Sequence, residues 1–190
     1  MPLLNGPYGY GGVTKSLHWL TVLLLVAQVV VGYTMDADDS GQGRGRGRGR
    51  GGDSGRGRGR GRGGEDDGLG LFDGPLDLVD LHVVLGLALV ALALTRIVWR
   101  ARTPLPPWDE RLTDRDKRLV TATERTLLGL LVLVPATGVA LVLGGDDLLW
   151  LHVAGHVALY ATVAVHVAVV LRRGLVGRML PGGRARVRTP

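Results

Sequence analysis

The sequence predicts an all-α fold, a transmembrane four-helix bundle, and three observations carry that expectation. Asp, Glu, Lys and Arg are absent from Ser16–Met35, Thr126–Gly145 and Leu148–Leu171, and from the shorter run Leu81–Thr95. Each long block has the roughly 20 apolar residues that cross a ~30 Å hydrocarbon core at 1.5 Å per residue. The 23 Lys and Arg and the 17 Asp and Glu crowd into the segments between the blocks, although 46% of the 190 residues are hydrophobic. A soluble domain of this length would spread its apolar positions along the chain.

Taken in order, residues 1–15 form a short polar lead ending at Lys15. The first span covers about 16–35. Little positive charge precedes it and no small-residue cleavage site follows, so it is expected to be retained rather than removed as a signal peptide. Residues 41–64 alternate Arg with Gly from Arg44 to Arg62. Gly at every second position opposes helix and packed core alike, so this stretch is expected to be a disordered loop. The second span is 76–99, and Pro104, Pro106 and Pro107 interrupt the connection after it. A third span at 119–143 contains Pro135 and Gly138, which should kink or thin it. The turn Gly144-Gly145-Asp146-Asp147 leads to the fourth span, 148–171. A basic tail, 172–190, closes the four-helix unit of 16–171.

Composition excludes several classes. With no cysteine, disulfides, thiolate metal sites and covalently attached haem are ruled out. The eight arginines of the loop suggest nucleic acid, but no Phe or Tyr is interleaved among them. Across residues 36–80 they face ten acids, a net charge of −2, so a solvated linker is expected and no nucleic-acid partner. Placing Lys15, the connection after the second span and the tail on one side, with Arg96 and Arg125 at the adjoining span ends, gathers 15 of the 23 Lys and Arg there. By the positive-inside rule both termini are cytoplasmic and the protein is a multi-pass protein of the cell membrane, in contact with lipid.

All five histidines fall in spans: His18, His82, His152, His156 and His166. Ionisable side chains in a bilayer are costly and mark function by default. His152 and His166 are 14 residues apart, nearly four turns, so they share a face about 21 Å apart along the axis. The topology puts His18 and His166 near the cytoplasmic surface and His82 and His152 near the outer one. Two histidines at each depth, from different helices, suit the two axial positions of haem iron better than a four-ligand zinc site. The expected fold thus has haem bound between the helices. Gly32, 14 residues after His18, and Gly86, one turn after His82, would give a flat macrocycle room. His156, one turn after His152, is the substitute ligand, or else binds a propionate or shuttles a proton.

These pieces resemble the bacterial cytochrome b-561 type of di-haem membrane cytochrome, which is similar to the cytochrome b subunits of nickel-iron hydrogenases and formate dehydrogenases. The resemblance rests on Lys15-Ser-Leu-His18-Trp19, Leu81-His82 with Gly86, Pro135-Ala-Thr-Gly138, the pair His152 and His166, and Gly177-Arg178-Met179-Leu180-Pro181. It covers nearly everything but the Arg-Gly loop. It implies two non-covalent b haems ligated by His18, His82, His152 and His166, and electron exchange with membrane quinone and a redox partner. The family often has a histidine early in helix 3, where this chain has Glu124 and Arg125. Glu124 is the candidate protonatable group for quinone chemistry, or else a partner of Arg125 or Arg118. A quinone-linked oxidoreductase, a membrane anchor and conduit for a separate dehydrogenase, hydrogenase or reductase, and a haem-free metal or proton transporter are the activities to separate. A homodimer is among the assemblies left open. For the orientation, a green fluorescent protein fused after Pro190 should fluoresce in cells and a periplasmic phosphatase fused there should be inactive; the opposite pattern would invert the topology.

Overall fold

The computed structural model describes residues 2–7, 9–41, 76–143 and 148–180. The Arg-Gly segment, the turn at 144–147 and the tail beyond 180 lie outside the described residues. Four helices follow one another: α1 (Gly12–Gly41), α2 (Leu78–Arg102), α3 (Asp114–Val142) and α4 (Leu149–Arg172), with a 3-10 turn at Val176–Arg178. All four are long and apolar enough to cross a membrane. The expected spans are recovered, with α1 and α3 each starting several residues earlier than the apolar runs do. Capping explains one of these starts. Thr113 and Asp116 form a reciprocal box at the head of α3, as Asp77 and Asp80 do at α2, so polar residues supply the first turn.

Each helix packs on its predecessor: α1 on α2, α2 on α3 and α3 on α4. The core is small, Leu89 and Ala93 of α2 against Leu131 of α3, flanked by Leu24 and Leu25 of α1 and by Val132. Most other large apolar side chains, such as Leu23, Leu133, Val157 and Leu171, face outward. That is the inverse of a soluble bundle and matches a lipid surround. Polar side chains in the spans close on their own helix: the hydroxyls of Thr95 and Thr162 donate to the carbonyls of Ala91 and Ala158. α3 remains one unbroken helix through Pro135, so the expected kink does not end it. Pro135 instead lies close to Gly86 of α2, whose missing side chain also admits the Gln28 amide of α1.

At the end carrying both termini, hereafter the near end, three segments interlock. Lys15 Nζ donates to the Leu180 carbonyl and Trp19 Nε1 to that of Met179, both at 2.9 Å. Arg178 reaches the Pro107 carbonyl, lies 4.0 Å from Asp109 and stacks over the ring of Tyr10. Asn5 donates to the Pro104 carbonyl, and Arg111 spans Asp109 and the carbonyl of Gly174. Gly174 has φ of 61°, the left-handed conformation that lets α4 end and the chain turn back over the bundle. The Lys-Ser-Leu-His-Trp and Gly-Arg-Met-Leu segments, 160 residues apart, are thus partners.

Asp109 sits at the centre of this latch and is buried. The Arg111 guanidinium hydrogen-bonded to it holds its carboxyl at about 2, below the ~3.9 of an unfolded chain. Because the folded value is the lower one, this contribution is complete above the unfolded value and is lost as pH falls toward 2. Asp109→Ala should destabilise the latch by about 1.5–3 kcal/mol, the range for hydrogen bonds to charged groups. In detergent this should appear as a lower thermal midpoint and faster proteolysis near residue 178 at neutral pH, the difference from wild type shrinking in strong acid.

Candidate haem-binding site

The helices deliver four of the five histidines to two depths. His18 stands six residues inside the start of α1 and His166 six residues before the end of α4, so both lie at the near end. Their ring centroids are 6.4 Å apart with planes tilted by 52°. This contact spans a seam, because α1 and α4 do not pack closely as sequence neighbours do. Two metal–imidazole bonds of about 2.0–2.1 Å take up most of that separation, and the half-widths of the rings take up the rest. The spacing of the two rings is thus that of two imidazoles sharing one metal atom. Trp19 meets the His18 ring edge-on at 5.7 Å, and its indole N–H is fixed by the latch.

At the other depth, the far end, each ring is seated on a glycine of a neighbouring helix. A Cβ on Gly32 of α1 would stand 3.2 Å from Cε1 of His82, and one on Gly138 of α3 would stand 3.0 Å from Cε1 of His152. His152 Nδ1 lies 3.1 Å from the Val134 carbonyl and 2.9 Å from the Thr137 hydroxyl, which itself donates to Val134. A carbonyl can only accept, so Nδ1 carries the proton and Nε2 presents its lone pair, the state of a metal ligand. His156 Nδ1 likewise bonds the His152 carbonyl at 3.0 Å, so its Nε2 is available too. Its ring packs edge-on against His152 at 4.5 Å and faces Tyr160 at 6.0 Å.

His82 differs. Its Nε2 is 3.0 Å from the Gln28 side-chain nitrogen, and the Gln28 carbonyl oxygen is buried with no hydrogen-bond partner. An axial bond at His82 Nε2 requires Gln28 to turn away, which frees an amide that already lacks one partner. The residues therefore fit a haem at the near end as they stand, and at the far end once that one side chain moves. Gly32 serves here as the seat of His82, and Gly86 faces Gln28 and Pro135. Among the described residues no three His, Cys, Asp or Glu converge. The ring pairs that do approach are His18 with His166 and His152 with His156.

A profile of the prokaryotic cytochrome b561 family matches residues 9–182. The chain belongs to this family. No curated protein and no solved structure matches it. Membership makes the protein a multi-pass membrane b-type cytochrome of electron transfer, and it implies b-type haem.

Gln28, Arg96, Thr137 and Gly138 are site residues that the pattern of histidines alone does not reveal. Arg96 had a signal: it lies 14 residues after His82, the spacing that links His152 to His166. Glu124 pairs with neither Arg125 nor Arg118; its ion-pair partner is Arg100 near the end of α2. The pair ties the last turn of α2 to the third turn of α3. Gly138→Val should push the His152 ring off the Val134 carbonyl without unfolding α3, because Gly is itself the poorer helix former. The expected outcome is loss of far-end haem absorbance with the near-end component and the circular dichroism unchanged.

Proposed function

We propose that this protein is a di-haem b-type cytochrome that carries electrons across the membrane between quinone and a second redox partner. The observation supporting it most directly is the 6.4 Å approach of His18 and His166 across the seam between α1 and α4. The carbonyl-fixed tautomer of His152 and the glycine seats of His82 and His152 support a second ligand pair at the other depth. When bound, each haem supplies one-electron iron chemistry, and the rest is the protein's work. His18 and His166 bridge two helices at the near end. His82 and His152 do the same at the far end after Gln28 swings aside. The latch holds the Trp19 end of α1 against the chain that follows α4, and outward-facing Leu and Val cover the remaining faces. Quinone as the mobile partner follows from the likeness to quinone-linked membrane cytochromes.

The test is the reduced-minus-oxidised visible spectrum of detergent-purified protein with haem counted per chain. Two low-spin b-type components are expected. His18→Ala and His166→Ala should each remove one component, His82→Ala and His152→Ala the other, and His156→Ala neither. A water-soluble quinol should reduce the wild-type protein. Protein that stays colourless when expressed with ample haem would overturn the reading, and a single haem would break one of the pairings.

A further inference from the structure

Arg96 is a cation set inside the bundle with little to hold it. It stands six residues before the end of α2 at Arg102, as His166 does before Arg172 and His18 after Gly12. Each is therefore about 9 Å from the near end at 1.5 Å per residue. Its guanidinium turns inward rather than toward the headgroups: Nη1 lies 3.4 Å from the hydroxyl of Thr21, a residue only 5% exposed and one turn beyond His18. The Thr21 proton is already given to the Leu17 carbonyl, so Thr21 offers Arg96 one long acceptor contact and nothing more. Among the described residues no carboxylate lies within ion-pair distance of Arg96, while Arg100, one turn further out, is engaged by Glu124.

A guanidinium at this depth is costly unless an anion meets it, and its planar fork matches a carboxylate. The group that His18 and His166 would ligate carries two carboxylate side chains. We propose that Arg96 is a positioning residue of the near-end site, holding a propionate of the haem bound between His18 and His166. This rests on the di-haem reading. The fixed cation has a second effect. Adding an electron to the iron removes positive charge, so a nearby cation in low dielectric favours the reduced form. At the far-end depth the corresponding interior polar group on α1 is the uncharged amide of Gln28. Arg96 would therefore raise the midpoint of a haem held at the near end, with no matching cation supplied by Gln28 at the far end.

The experiment is a redox titration of purified holoprotein followed by visible spectra, for wild type, Arg96→Gln and Arg96→Lys, with the near-end component defined by its absence from His18→Ala. Arg96→Gln should make reduction of the near-end haem at least tenfold less favourable, about 59 mV for one electron, and leave the far-end midpoint in place. Arg96→Lys, which keeps the charge and loses the fork, should recover most of the midpoint but release near-end haem faster to apomyoglobin. An unmoved near-end midpoint in Arg96→Gln would overturn the proposal, and is what a side chain serving lipid phosphate would give. Equal shifts of both haems would overturn it as well. Should Arg96→Gln fail to accumulate, the apomyoglobin assay on Arg96→Lys decides: faster near-end release supports the proposal and wild-type release overturns it. Wild-type protein with fewer than two haems would sink the di-haem reading itself; two haems with unmoved midpoints would sink only this inference.

Discussion

An imidazole inside a bilayer has no water to turn toward, so its orientation is set by what the neighbouring helices offer. Everything at the far end follows from that constraint. His152 finds a carbonyl and a hydroxyl on α3, and Gly138 removes the side chain that would keep its ring from them. The carbonyl then fixes the tautomer, and the tautomer leaves the other nitrogen for a metal. His82 is seated the same way on Gly32, but its second nitrogen is taken up by Gln28. The two far-end histidines thus share a glycine seat and differ in readiness.

At the near end the constraint is met by other means. His18 and His166 face each other where α1 and α4 stand apart, and the latch keeps those helix ends from separating further. Lys15 and Trp19 flank His18 on α1, and both donate to carbonyls just beyond α4. These bonds tie the helix bearing one ring to the chain following the other. The buried Asp109 and the stacked Arg178 anchor that chain to the α2–α3 connection, so three loops share one fixed position.

The architecture and the depth of each histidine were legible in the sequence because both follow from periodicity and chain direction, which apolar runs and basic flanks report. The partners of polar groups were not. Glu124 has an arginine beside it in sequence, yet it binds Arg100 from another helix, a choice made by helix packing that no local pattern records. Gln28 reads as an isolated amide in an apolar run until α2 brings His82 against it. Gly138 was visible as a helix-weakening residue, but its use depends on which ring α4 turns toward it. Arg96 is the opposite case: its 14-residue offset from His82 was present in the sequence and belonged with the other two such pairs.

The near-end pairing also has a consequence for how the molecule is made. Residues 18 and 166 lie on α1 and α4, so one half of that site is made three helices before its complement. The far-end seats divide differently, Gly32 with His82 in the first helical hairpin and Gly138 with His152 in the second. Each hairpin can orient its own histidine as soon as it is inserted, whereas the near-end pair cannot meet until α4 has been made. The near end is therefore completed only after α4 is in place and the segment following it has closed over Trp19.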